Sequence, residues 1–137
     1  DELGAAVGQE KLLTTDCGGR FYVDAYGTSI FHAGDLNDWH WKDEGNARYS
    51  RVMSKMFDRE MQYLRRHVAH IDVAFFPVDA RMGADYDAGA RKFIDMMKPD
   101  VLVPIHFLRF ADTQSFSQSA HGATKVLSVH HMGERLV

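Results

Sequence analysis

Three apolar segments of this sequence each run into a side chain able to hold a cation or move a proton. Phe31-His32-Ala33-Gly34 leads to Asp35, Phe75-Phe76-Pro77-Val78 leads to Asp79, and Val103-Pro104-Ile105 leads to His106. A carboxylate just past a glycine turn is placed to bind a cation, or it caps its own loop by accepting backbone amides. A histidine closing an apolar strand has two ring nitrogens to satisfy. It reads either as a core residue bonded to a backbone carbonyl or as a metal ligand. Arg81 follows two residues after Asp79, so a carboxylate–guanidinium pair is expected there, with anion binding as the alternative. Asp38-Trp39-His40-Trp41 sets two indoles around an imidazole, which either wall a substrate pocket or plug the end of a sheet. His32, just before the Gly-Asp turn, adds another imidazole.

These side chains need strands and loops to hold them. Residues 21–26 and 28–32 are β-prone runs separated around Gly27 and predict a hairpin. The polar stretch 35–46 reads as a loop. Tyr49, Val52, Met53, Met56, Phe57, Met61, Leu64 and Val68 recur every three or four residues, an amphipathic helix whose solvated face carries Arg48, Arg51, Lys55, Asp58, Arg59, Arg65 and Arg66. Residues 72–78 and 101–107 are nearly continuous apolar runs and read as buried strands. Residues 79–83 read as a loop, 85–98 as a helix stopped by Pro99, 111–121 as a third helix and 125–130 as a last strand. Strands alternating with helices predict an α/β fold with helix layered on sheet. Asp35, Asp79 and His106 would then sit at strand ends, where open α/β sheets place their sites.

Composition narrows the function classes. The 137 residues suit one domain, and 45% hydrophobic with 26% charged residues is ordinary for a globular chain. A net charge of −3 offers no cationic field for a polyanion, so nucleic acid is not an expected partner. No apolar run approaches the ~20 residues of a membrane span. Residues 1–4 resemble no secretion signal, and a single cysteine, Cys17, cannot form an internal disulfide. The expectation is a cytoplasmic protein. Eight histidines stand out. Five of them (His67, His70, His121, His130 and His131) fall at a helix end or in polar segments and read as structural or surface groups.

In order and spacing, Ser29-Ile30-Phe31-His32-Ala33-Gly34-Asp35, Asp72-Val73-Ala74-Phe75-Phe76-Pro77-Val78-Asp79 and Val103-Pro104-Ile105-His106-Phe107 resemble the C-terminal half of the metallo-β-lactamase superfamily, in particular its ascorbate-6-phosphate lactonase-like branch of bacterial metal-dependent hydrolases. The resemblance spans residues 14–137. It implies half of an αββα sandwich: a mixed sheet with helices on one face. It also implies a two-metal site, most simply zinc, with manganese or iron as alternatives. In that site Asp35 would bridge the metals and His106 would ligate one. His32, Asp38, Trp39, His40, Trp41, Asp79 and Arg81 would be candidates for shaping the pocket of a small-molecule substrate.

The family's His-x-His-x-Asp-His motif does not occur in this sequence. Two expectations follow. One is a hydrolase, or its C-terminal segment, acting on an ester, lactone, amide or phosphodiester through a metal-activated water. The other is a truncated, non-catalytic domain that associates with another protein surface, as a homo-oligomer or with a missing N-terminal half.

Overall fold

The computed structural model describes residues 19–40 and 47–136. Cys17, Trp41, most of the expected N-terminal loop and part of the 35–46 loop lie outside them. Strand β1 (Phe21–Ala25) pairs antiparallel with β2 (Thr28–His32) in the expected hairpin. Tyr26 (φ 54°) and Gly27 (φ 82°) form the turn in the left-handed region that a tight hairpin needs, so the strand stops before Tyr26.

The long helix α1 (Ala47–His67) buries Met53, Met56, Phe57, Met61 and Leu64, all on the stripe read from the spacing. Arg65, Arg66 and His67 close it, and the two guanidinium groups are cations where the helix dipole favours them. Buried Glu60 interrupts the apolar stripe and is paired with Arg20. Then come β3 (Val73–Pro77), α2 (Ala88–Met97), β4 (Val101–Ile105), α3 (Gln114–Gln118) and β5 (Lys125–Val126).

Several boundaries move from their expected places. Residues 80–85 form two short 3-10 turns joined across Gly83 (φ 64°), the first begun by the Asp79 carboxylate accepting the Arg81 N–H, and α2 starts only at Ala88. Lys98, at φ 48°, ends α2 just before Pro99. The third helix splits into a 3-10 turn, Phe110–Thr113, and the short α3.

The last strand is two residues long rather than six, and Pro104 supplies a reason. Leu102 accepts the Leu127 N–H at 2.9 Å, so every second residue of β4 points its backbone at β5. Next in that series is Pro104, which has no N–H to give. Pro77 does the same between β3 and β2: Phe75 accepts the Ala33 N–H at 2.9 Å, and Pro77 is the next residue facing that side. Each proline ends a ladder just where a site loop begins.

The result is an α/β fold around a five-stranded mixed sheet in the order β1-β2-β3-β4-β5, with β2 through β5 parallel. Right-handed crossovers that all step the same way leave every helix on one face. Phe76 of β3 shows this directly. Its ring lies 6.3 Å from Phe57 of α1 and 4.6 Å from Phe93 of α2, and Phe116 of α3 joins the same core. The opposite face carries Ile30, His32, Val73, Phe75 and Ile105, which keep part of their surface exposed, and Val103, which is buried, with His32 stacked on Phe75. Among the described residues no helix is long and apolar enough to cross a membrane.

Two neighbouring phenylalanines therefore differ in what they hold. Phe76→Ala is expected to cost about 3–5 kcal/mol in urea unfolding. Phe75→Ala, on the half-buried face, should cost less than half of that, and equal losses would contradict the one-sided packing.

Candidate functional site

Because β2, β3 and β4 are parallel, the chain leaves all of them at the same edge of the sheet. Asp35, Asp79 and His106 meet there. Gly34 makes the approach of Asp35 possible. Its φ is 59°, and a β-carbon at that position would lie 2.2 Å from the carbonyl oxygen of Gly19. The Trp39 indole N–H fixes the same loop by donating to the Asp35 carbonyl at 2.7 Å.

His106 enters the site with φ 63°, a left-handed conformation uncommon for a residue with a β-carbon. Its Nδ1 lies 2.9 Å from Asp79 Oδ2, and its Nε2 lies 3.4 Å from Asp35 Oδ1. The Trp39 ring packs on the imidazole at 5.2 Å.

Asp79 is fully buried and receives the Arg81 backbone N–H at 3.0 Å and its Nε–H at 2.9 Å, with Nη2 2.5 Å from the second oxygen. Burial pushes this carboxyl up, but hydrogen bonds from Arg81 and His106 outweigh it and hold the group below the usual carboxylate range. An ionised Asp79 only accepts, so His106 Nδ1 carries the proton it shares. Nε2 is then left facing a second acceptor, Asp35. The two groups stand 3.4 Å apart, a spacing that a shared donor or cation between them would bridge.

A second polar network lies behind Trp39. Asp38 is buried and accepts from Ser54 Oγ at 2.6 Å and Lys92 Nζ at 2.7 Å. Burial raises its pKa, and Lys92, Ser54 and His40 more than reverse this, leaving it lowered. Lys92 is the mirror image: burial lowers it, and Asp38 turns the net shift upward. His40 Nε2 lies 3.0 Å from Asp85 Oδ2, and its Nδ1 is 3.0 Å from Asp38 Oδ1 without the alignment of a hydrogen bond. Gly89 keeps α2 close to this loop, since a β-carbon there would meet Asn37 Oδ1 at 1.9 Å.

The structure thus unites Asp35, Asp79, Arg81, His106 and Trp39. His106 bonds a carboxylate, not the backbone carbonyl that was the alternative. Trp39 is packed with Met53, Met82 and Tyr86. Asp38 and His40 are turned into the α1–α2 network, and His32 stacks on Phe75 while its Nδ1 accepts the Gly34 N–H at 3.0 Å. Trp41 is not described. Ser54, Asp85 and Lys92 were not expected at all, because on a helix or loop they read as ordinary solvated polar residues. Among the described residues no third His, Cys or acidic side chain joins Asp35 and His106 in a compact group.

No family model matches this chain, and neither does any curated protein or solved structure.

The buried carboxylates set an acid limit. Their folded pKa values lie below the unfolded value of about 3.9, so the unfolded chain binds protons first as pH falls. Their stabilising contribution is full above about pH 5 and is lost as pH drops through the folded values. Urea midpoints should fall from pH 5 to pH 2, and less steeply in Asp79→Asn. A parent protein with a flat profile down to pH 2 would contradict this account.

Proposed function

We propose that Asp35 and His106 form part of a divalent-metal site in a hydrolase, with the remaining donors supplied from outside the described residues. The observation that supports this is the pair of facing acceptors, Asp35 Oδ1 and His106 Nε2, 3.4 Å apart. In a tetrahedral zinc site with bonds of about 2.0–2.1 Å, neighbouring donor atoms lie about 3.3–3.4 Å apart. The support behind His106 also fits, because a ligand imidazole characteristically gives its other N–H to a carboxylate. Asp79 occupies that position. Catalytic zinc takes three protein ligands, so this pair fits the group but does not complete it. The resemblance of these same segments to the second half of the metallo-β-lactamase superfamily points the same way.

A bound metal of this class supplies an activated water and charge stabilisation for attack on an ester, lactone, amide or phosphodiester. The chain's own residues do the positioning. Asp79 sets the tautomer and direction of His106, and Trp39 shields one side of the ring from water. Arg81, half-exposed beside them, presents positive charge at the rim for an anionic part of a substrate.

A second reading, association through the sheet, is favoured by one observation. Strand β1 lies at the outer edge of the described sheet, with Phe21 64% and Val23 50% exposed. Sedimentation separates this reading. A dimer that dissociates on Val23→Lys supports association, and a monomer at high concentration removes it.

Zinc or manganese titration should shift the His106 imidazole resonances and stimulate hydrolysis of simple esters or phosphodiesters. Asp35→Asn should abolish both effects, and His106→Ala should abolish the hydrolysis. Asp79→Asn is expected to weaken metal affinity about 10–100-fold while leaving both ligands in place. Unshifted His106 signals with no metal-dependent hydrolysis would end the hydrolase reading.

A further inference from the structure

At the opposite end of the sheet, residues just before β3 and β4 form another convergence. Asp72 directly precedes Val73 and Asp100 directly precedes Val101, and the register pairs Val73 with Val101. The two carboxylates are therefore neighbours across the strands, an arrangement that like charges oppose. His70 Nε2 stands 3.3 Å from Asp72 Oδ1 and 3.2 Å from Asp100 Oδ2. A single ring N–H points along one line and serves one acceptor well, whereas here two carboxylate oxygens converge on the same nitrogen. All three donor atoms lie within 4.8 Å of one another.

We propose that His70, Asp72 and Asp100 form a surface site for a divalent transition metal of the zinc class, separate from the Asp35–His106 site. The two separations to the imidazole nitrogen are close to the edge of a tetrahedron with bonds of about 2.0–2.1 Å, which leaves water the fourth position. One imidazole with two carboxylates suits zinc better than the all-oxygen shells that calcium and magnesium prefer.

The donors are also held from behind. Asp72 Oδ2 is engaged by the Ser29 N–H and hydroxyl, each at 2.6 Å, which turns Oδ1 toward His70. The Asp100 backbone bonds Ile71 and Lys125 at 3.1 and 2.9 Å, and the Tyr22 hydroxyl donates to the His70 carbonyl at 3.3 Å. A metal here would tie the starts of β3 and β4 together, with contacts reaching β1, β2 and β5. This is a structural role, which deepens the expectation that His70 is a structural or surface group.

The test uses the Asp35→Ala/His106→Ala double variant, so that the other site cannot contribute. Zinc chloride alone is titrated, read by calorimetry, by the His70 imidazole resonances and by thermal unfolding. The expected result is one zinc per chain, a shift at His70 Nε2, and a Tm raised by about 5–10 °C at zinc 100-fold over Kd. Adding His70→Ala or Asp100→Asn, both at exposed positions, should remove all of these. The proposal is overturned if His70 and the Tm do not respond to zinc, or if the Tm rise survives His70→Ala. Zinc binding lost in the double variant alone would refute this site and leave the hydrolase reading standing. Binding that persists there and requires His70 would establish it whatever the fate of that reading.

Discussion

The parallel alignment of β2, β3 and β4 is the constraint from which the other features follow. Parallel strands need a crossover between them, and successive right-handed crossovers in one direction stack α1, α2 and α3 on a single face. Phe76 is the centre of that stack, with Phe57 and Phe93 on either side. The same alignment collects the strand exits at one edge and the strand entries at the other. Asp35, Asp79 and His106 meet at the exits, and His70, Asp72 and Asp100 meet at the entries. Both clusters combine residues far apart in the chain because the sheet brings the same end of each strand into line.

Burial of carboxylates gives the exit edge its rigidity. Asp38 and Asp79 are almost completely removed from solvent, a position that is costly for a charge unless it is paired and hydrogen-bonded. Each is satisfied from a different direction. Asp79 is held within its own turn by Arg81 and from β4 by His106, whereas Asp38 is held by Ser54 of α1 and Lys92 of α2. Trp39 lies between the two networks, bonded to the Asp35 carbonyl and packed on the His106 ring. The loop after β2 is thereby fastened to α1, α2 and the end of β4. Ring orientation at His106 depends on that fastening.

Much of this was legible before the fold. The stripe from Met53 to Leu64 announced α1 because a buried helical face repeats every three or four residues. The apolar runs around Phe76 and Leu102 announced central strands. Two boundary errors have local causes with long-range consequences. Asp79 captures the Arg81 amide and starts the first of two 3-10 turns in residues 80–85, and Pro104 aims its missing N–H at β5 and cuts that strand short. The second depends on which neighbour Pro104 faces, and only strand pairing decides that.

The sequence by itself determined the element types, the α/β class and the positions of Asp35, Asp79 and His106 at strand ends, because periodicity and chain-breaking residues act over a few positions. Tertiary structure alone decided which polar side chains meet. Asp38 and His40 have the same chemistry as Asp35 and His106, yet they turn away toward Ser54 of α1, Lys92 of α2 and Asp85 of the 3-10 segment, which receive them. His70, apparently an ordinary helix-end histidine, finds Asp72 and Asp100 because the start of β3 lies beside the start of β4. A side chain's partners depend on the register and direction of strands distant in the chain, and no local pattern records these.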